Sequence, residues 1–242
     1  MDSDLDLENQ LVNRKPIKDE IFEILHQRII AGKYQPGEWL RQEEIASQLG
    51  VSQTPVREAL DLLVSAGLAE REPYKGVRVM HLSDTEIAES YGMRMFLEVT
   101  SSMIAAKRIT DRELETLEKI VEKTKGLLTL NDMAAQRILN RQFHNALVAA
   151  SGNSLLVKMH AIVINTFPDW MLYEYMFRHP ELLEENLVRE YNEHKAIYIS
   201  LATHDIENAR IETENHFLNL GKELTEFLGI NKEFLLEKKI QI

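Results

Sequence analysis

The 242-residue sequence contains no cysteine, which excludes disulfide bonds and thiolate metal sites. No apolar run is long enough to cross a bilayer. The acidic N-terminus has no apolar segment of the kind found in secretory signals. These three absences together predict a globular protein of the cytoplasm.

Excess positive charge, the usual mark of a nucleic-acid-binding protein, is also missing, because the formal net charge is −11. Residues 15–80 are close to neutral, with nine Lys and Arg against ten Asp and Glu. Residues 81–242 are acidic, with 18 against 25. Any DNA affinity must therefore come from locally placed cations in the first segment.

Hydrophobic periodicity divides the chain into four parts. We predict a flexible arm over 1–14, a DNA-binding domain over 15–80, an all-helical domain over 83–230 and a C-terminal tail over 231–242. In the DNA-binding domain the pattern predicts three helices and two short strands: about 18–32, 42–49, 53–66, 68–72 and 77–80.

Only two prolines follow Leu82, and the pattern from there on is helical almost throughout. We predict helices at about 83–108, 110–128, 132–151, 153–167, 181–202 and 205–228. The aromatic-rich stretch 167–177 is expected to be irregular. The predicted fold is mainly α: a winged helix-turn-helix of three helices and a small β-hairpin, followed by an all-α antiparallel helical bundle.

The segment QEEIASQLGVSQTPVREAL has the pattern of a helix-turn-helix. Ala46 is small where two helices must approach, Gly50 supplies a left-handed turn residue, and Val56 packs the second helix onto the first. We predict DNA contacts from the start of the second helix, the preceding loop and the wing: Arg41, Ser52, Gln53, Thr54, Arg57, Lys75 and Gly76. A small helical domain with a chance Ala-Gly-Val spacing is the alternative.

At these residues the chain resembles a known family. Residues 29–71, with the motif LGVSQTPVREAL, look like the winged-helix domain of the GntR family of transcription regulators. Residues 82–108 and the segment NRQFHNALVAASGN, residues 140–153, resemble the ligand-binding FCD domain of the FadR-type subfamily. The resemblance implies a regulator, not an enzyme, and covers residues 17–228.

One residue departs from the family pattern. Family members commonly have Arg where this chain has Gln53, while Thr54 and Arg57 are retained. An Arg in the major groove suits guanine, whereas Gln suits adenine. Base preference at the operator is therefore expected to differ from that of most relatives.

Three of the eight histidines fall on apolar helix stripes and should point into the helical domain: His144, His194 and His216. Asn140 lies one turn before His144, so both side chains can reach one point. A single histidine on an apolar face is more often a satisfied core residue than a ligand.

In FCD domains, three histidines and an Asp or Asn from different helices bind a divalent metal. Asn140, His144, His194 and His216 match that pattern, with zinc or nickel as the expected ion. These four ligands are neutral, so an anionic effector is expected to supply the missing charge.

Arg94 stands where family members carry an arginine in the pocket, and it could clamp the carboxylate of a small organic acid. A helix-surface pair between Arg94 and Glu98 is the alternative. The aromatic residues of the stretch 167–177 are expected to pack in the core or at a dimer contact, with a pocket wall or lid as the alternative. We also expect a homodimer on a two-fold operator. Two other functions remain. One is a regulator with a structural metal and an effector bound elsewhere. The other is a metal-dependent hydrolase, although nothing in the sequence resembles the general base that a hydrolase pairs with its metal.

Overall fold

The computed structural model describes residues 16–30, 32–127, 129–167 and 169–238. The predicted arm lies outside the described residues. The elements of the winged domain are α1 Ile17–Ile30, α2 Gln42–Leu49, α3 Gln53–Ser65, β1 Ala69–Glu72 and β2 Gly76–Val79. The helical domain contains α4 Asp84–Arg108, α5 Asp111–Thr124, α6 Met133–Ala150, α7 Ser154–Thr166, α8 Asp169–Arg178, α9 Leu183–Ala202, α10 Ile206–Leu228 and α11 Lys232–Lys238.

The winged helix-turn-helix is confirmed. Gly50 ends α2 in the left-handed region at φ 67°, where a side chain would be strained, and this turn sets α3 across α2. Val56 is fully buried between the helices. β1 and β2 form an antiparallel hairpin in which Ala69 faces Val79. Trp39 forms one further antiparallel bridge, with Arg78 of β2.

Helix α4 is the centre of the helical domain, packed by α6, α7, α10 and α11. It begins with a capping box, in which the Ser83 side chain accepts from the Glu86 N–H and the Glu86 side chain accepts from the Ser83 N–H. Thr110 and Glu113 form a second such box at the start of α5. Because α4 is covered on several sides, polar side chains on it are buried among other helices.

Two segments differ from the sequence-based prediction. The stretch 167–177, expected to be irregular, contains the helix α8, whose Trp170, Tyr173 and Met176 are buried. Packing of these large side chains outweighs the modest helix propensity of aromatic residues. The residues expected to form a tail include α11, where the buried side chain of Leu235 packs with the core around α4 and α10.

Helix α8 also connects the two domains. Its Trp170 is buried in the hydrophobic core of the winged domain. Beside it, the Arg137 guanidinium on α6 contacts Asp169 at 3.1 Å and the backbone carbonyl of Ala66, just after α3, at 3.3 Å. The same guanidinium lies 3.3 Å from Nε2 of His26 on α1. The domains are therefore joined by packing and polar contacts as well as by the short link at residues 80–82.

Candidate functional site

The start of α3 presents the predicted base-reading residues to solvent. Gln53, Thr54 and Arg57 are all exposed. Gln42 of α2 donates from Nε2 to the backbone carbonyl of Gln53 at 3.0 Å, which fixes the start of α3 against α2. Ser52 is the N-cap residue, but its side chain makes no capping hydrogen bond. The N-terminal turn of α3 is therefore free to enter a groove.

The three cations of the wing are already paired. The ion pairs are Arg71 with Asp61, Lys75 with Glu72, and Arg78 with Glu70. Arg41 and Arg57, by contrast, form no ion pair with any residue that the structure describes. These two arginines are therefore the cations best placed to meet a DNA phosphate or base without breaking an ion pair.

Two residues of this face were not identified from the sequence. Trp39 lies between two guanidinium groups, with Cζ of Arg41 5.6 Å and Cζ of Arg78 5.8 Å from its ring centroid. Tyr74 stands at the tip of the wing, fully exposed and with φ 64°. Gly76, two residues after Tyr74, has a φ of 122°, in a region that favours glycine.

The three predicted histidines meet inside the helical domain. His144 comes from α6, His194 from α9 and His216 from α10, and all three are buried. Their ring centroids are 5.0 to 5.2 Å apart, and one nitrogen of each ring lies within 4.8 Å of the others. Among the described residues, these three histidines form the cluster whose geometry suits a metal ion.

Unpaired polar atoms point into this cluster. Nε2 of His144, Nε2 of His194 and Oδ1 of Asn140 are buried without a hydrogen-bond partner among the described residues. The Asn140 amide nitrogen donates to the Tyr173 hydroxyl at 3.4 Å, which leaves the amide oxygen as the free atom. Buried polar atoms without partners are costly, and a divalent ion would satisfy all three. The residues present therefore fit a metal.

Glu98, one turn after Arg94 on α4, is a buried carboxylate at the centre of the network. It accepts hydrogen bonds from Nδ1 of His144, from Nε2 of His160 at 3.1 Å and from Nε of Arg94 at 2.8 Å. Burial alone would raise the Glu98 pKa, but the charges and hydrogen bonds of His144 and Arg94, with that of His160, hold the pKa well below its usual range. The Arg94–Glu98 pair exists, although it is buried and not on a helix surface as the alternative reading assumed.

His216 has a carboxylate partner of its own. Its Nδ1 donates to Oε2 of Glu193 at 2.8 Å. Burial lowers the pKa of His216, but Glu193 and the neighbouring Glu190 and Glu98 outweigh that effect and raise it. Such carboxylate–histidine pairs fix which ring nitrogen is left for a metal.

For the other two rings the pKa shifts in the opposite direction, because burial outweighs the neighbouring charges. Burial lowers the pKa of His144 to about 4 and that of His194 well below its usual value. Both rings are therefore neutral at pH 7, which is the form that binds metals.

The expected lack of negative charge around the ligands is wrong. Glu98 and Glu193 bond the histidines directly, and Glu190 and Glu223 line the same cavity. Burial raises the pKa of Glu190 to about 7. Sequence spacing did not identify these glutamates or His160.

A cavity of about 50 Å³ adjoins the histidines. The guanidinium of Arg94 lines it, held over the rings of Phe167 and Phe217 at 4.9 and 5.3 Å. Helix α8 supplies one wall through Leu172, Tyr173 and Met176, with Asp169 at the edge. This volume holds a few water-sized groups.

Comparison with known proteins supports the assignment of both domains. Residues 17–79 match the family model described as bacterial regulatory proteins, gntR family, and residues 89–219 match the FCD domain. The structure resembles that of E. coli McbR/YncC with a TM-score of 0.60 at 22% identity, covering 88% of this chain and 100% of that one. It also resembles a GntR regulator from Rhodococcus sp. RHA1, with a TM-score of 0.61 at 21% identity, covering 88% and 98% of the two chains.

Relatives found by sequence agree. The chain is 28% identical to the HTH-type transcriptional regulator YdhC of Bacillus subtilis, over 88% of this chain and 93% of that one. It is 29% identical to the HTH-type transcriptional repressor NanR of Enterobacter sp., over 84% and 83%. These relatives are regulators, as predicted, and not enzymes. Among the described residues, no helix has the length and apolar character that a membrane span requires. The chain belongs to the GntR family of bacterial transcription regulators and carries an FCD domain.

Proposed function

We propose that this protein is a homodimeric regulator whose affinity for a two-fold operator changes when a small carboxylate binds beside a divalent metal. The observation that carries the proposal is the convergence of buried, unpaired donor atoms from α6 and α9 with the His216 ring of α10. Buried polar atoms without hydrogen-bond partners are uncommon, and a bound ion would account for this group of them.

Asn140, His144, His194 and His216 would hold the metal, and imidazole ligands favour zinc or nickel. Glu98 and Glu193 would orient two of the rings by accepting their Nδ1 protons. When bound, such an ion supplies positive charge and a coordination position for an anionic oxygen.

Arg94 would bind the effector's carboxylate. Its Nε is occupied by Glu98, and the side chain lines the cavity; a guanidinium has further N–H donors whose fork suits a carboxylate. The 50 Å³ volume favours an acid of few atoms, or an opening of α8 for a larger one.

Helix α8 would transmit the effect of binding. Leu172, Tyr173 and Met176 line the cavity, while Trp170 of the same helix is packed in the winged domain. An effector that prefers one position of α8 shifts the population toward it, and the winged domain follows. Because one relative is named a repressor, we propose that this chain also represses and that the effector weakens operator binding.

The test is an operator-binding titration with small carboxylates on native, chelator-treated and metal-reloaded protein. We expect the response to disappear without metal and to return on reloading. A full response in protein shown to be metal-free would contradict the coupling. Metal without any response to carboxylates would instead favour a structural ion, the alternative that the small cavity also supports.

Arg137→Lys tests whether the contacts around α8 transmit the effect of binding to the winged domain. Lysine keeps the charge but not the fork that contacts Asp169 and the Ala66 carbonyl. We expect unchanged metal content and a smaller effector response in operator binding. Arg112→Lys, exposed on α5, is the matched control and should respond as the wild type does.

A further inference from the structure

The cavity beside the histidines has more carboxylates than cations in its lining. Three glutamates line it, Glu190 and Glu193 from α9 and Glu223 from α10. Among the described residues around the cavity, Arg94 is the one Lys or Arg side chain, and its Nε already donates to Glu98 at 2.8 Å. Negative charge held away from water needs a cation nearby. The lining therefore lacks the positive charge that its own glutamates require.

Glu190 is the carboxylate of this group that has no partner. Glu223 forms an ion pair with Arg189, and Glu193 accepts the Nδ1 proton of His216 at 2.8 Å. Glu190 makes no hydrogen bond or ion pair with any residue that the structure describes. Burial raises its pKa to about 7, as expected of a carboxylate that lacks a cationic partner. A cationic group in the cavity would supply that partner.

A divalent ion on the histidines would balance the charges of the site without leaving room for a further anion. Four carboxylates belong to the site, the three lining glutamates and Glu98. The guanidiniums of Arg94 and Arg189 and the double charge of the ion offset these four. Asp169 at the edge is paired with Arg137 and adds no net charge. A ligand with only a carboxylate would bring unbalanced negative charge into the cavity, whereas a ligand that also carries an ammonium would not.

The glutamates suit an ammonium better than a second metal ion. Among the described residues, the three histidines are the group whose ligand atoms converge closely enough to hold a metal, and the glutamates are not part of it. An ammonium has three N–H donors, which can reach carboxylates that do not converge on one point. A ligand is also called for by Nε2 of His144, since this cavity-lining side chain is 2% exposed and the atom has no partner.

We propose that the effector is a small amino acid, whose carboxylate binds at Arg94 and the metal and whose ammonium binds at Glu190. The inference rests on the proposed function, because it adds a second charged group to the carboxylate effector of the same cavity. The two binding groups come from different helices, Arg94 from α4 and Glu190 from α9. A ligand that bridges them favours one relative position of these helices. The volume of about 50 Å³ favours an amino acid of few atoms.

The test compares amino acids with acids in which a hydroxyl replaces the ammonium. The pairs are glycine with glycolate, alanine with lactate, and aspartate with malate. Isothermal titration calorimetry on the metal-loaded, full-length wild type measures the affinity for each. We expect at least one amino acid to bind at least about tenfold more tightly than its hydroxy acid, because only the ammonium offers a charged donor to Glu190. The same amino acid should change operator affinity.

Glu190→Gln locates the ammonium. Glutamine keeps the size of the side chain and removes its charge. We expect the variant to lose about tenfold in affinity for the amino acid and nothing for the matching hydroxy acid. Glu185→Gln, exposed on the same helix, should change neither affinity. Circular dichroism and metal content identify a variant that is merely unfolded, in which case the wild-type comparison decides.

The outcomes separate this inference from the proposed function. Hydroxy acids that bind as tightly as their amino acids, or more tightly, overturn the ammonium site and leave a metal-coupled carboxylate regulator. Equal losses of both ligands in Glu190→Gln overturn the role of Glu190. If no member of any pair binds metal-loaded protein, the small carboxylate effector and its ammonium fail together. A preference for the amino acid that Glu190→Gln removes supports the assignment.

Discussion

The two domains hold their functional side chains in opposite ways. In the winged domain, Arg41 and Arg57 are exposed and make no ion pair with any described residue. In the helical domain, His144, His194 and Glu98 are 2%, 3% and 0% exposed and belong to one hydrogen-bonded network. Residues of the first kind can change without disturbing the fold, whereas residues of the second kind serve packing and binding together.

The largest effect should come from the buried site. His194→Ala removes one of the converging ring nitrogens, and it removes the stacking on Phe143 at 4.0 Å. Four-ligand zinc sites are worth about 10–16 kcal/mol, so one ligand corresponds to roughly several hundredfold in metal affinity. Metal content after dialysis and the melting temperature should both fall.

His179→Ala is the control, because His179 is outside the cluster and its side chain is 43% exposed. Stoichiometric metal in the His194 variant would show that this ring is a core residue and not a ligand.

Arg57→Ala should give the next largest effect, and only on DNA binding. Loss of one base or phosphate contact costs about 1–3 kcal/mol per subunit, or roughly 5- to 150-fold. The melting temperature should not change, because Arg57 is exposed. Fluorescence anisotropy at one fixed salt concentration measures the loss. Arg71→Ala, whose side chain is paired with Asp61, should lose less. Equal losses would contradict the distinction between paired and unpaired cations.

Gln53→Arg tests base specificity at the exposed surface of the winged domain. The change should shift base preference toward guanine at one position of each half-site, worth about 1–3 kcal/mol. Selection of binding sites from random DNA reads this directly. Identical motifs for the two proteins would mean that Gln53 does not read a base.

Glu193→Gln tests a carboxylate that the sequence pattern did not reveal. Glutamine can still accept the Nδ1 proton of His216 but lacks the charge. Loss of such a partner typically costs about 10- to 100-fold in metal affinity, measurable by isothermal titration calorimetry. Glu185→Gln, exposed on the same helix, should have no effect. Unchanged affinity in both variants would confine the site to its direct ligands.

The smallest effect concerns pH and the contact between the domains. Burial and the charge of Arg137 lower the pKa of His26 to about 4. The unfolded chain binds this proton below about pH 6.5 and the folded chain does not, so stability falls as pH drops from 6.5 to 4. His26→Gln should reduce that slope by up to about 1 kcal/mol per pH unit in urea unfolding. An unaltered slope would mean that a group other than His26 takes up the proton on unfolding.

Elements whose position is fixed by local signals were predictable from the sequence. Gly50 and the two capping boxes mark helix ends in any context, so α3 and α4 were placed to within a residue or two. The three histidines were found because helical periodicity alone puts them on interior faces. The proposed DNA contacts and metal ligands follow from position within such elements.

Features that depend on which helix packs on which were not predictable. Glu98 follows Arg94 by four residues, a spacing equally common on exposed helix surfaces. A usable signal was available, because α4 also has small residues on several faces, among them Gly92, Ser101 and Ala105, as a central helix requires. The helix α8 was missed because its stability comes from burying Trp170 in another domain.

That shared helix restricts how the protein can be altered. Replacing Leu172 or Met176 with a smaller residue would enlarge the cavity. These residues lie two and six positions from Trp170 on the same ten-residue helix, so we expect such a change also to loosen the support of the winged domain. Effector preference and the spacing of the recognition helices are then not independent traits. Selection for a new inducer, in evolution or in the construction of a biosensor, must be made on the intact operator response and not on ligand affinity alone.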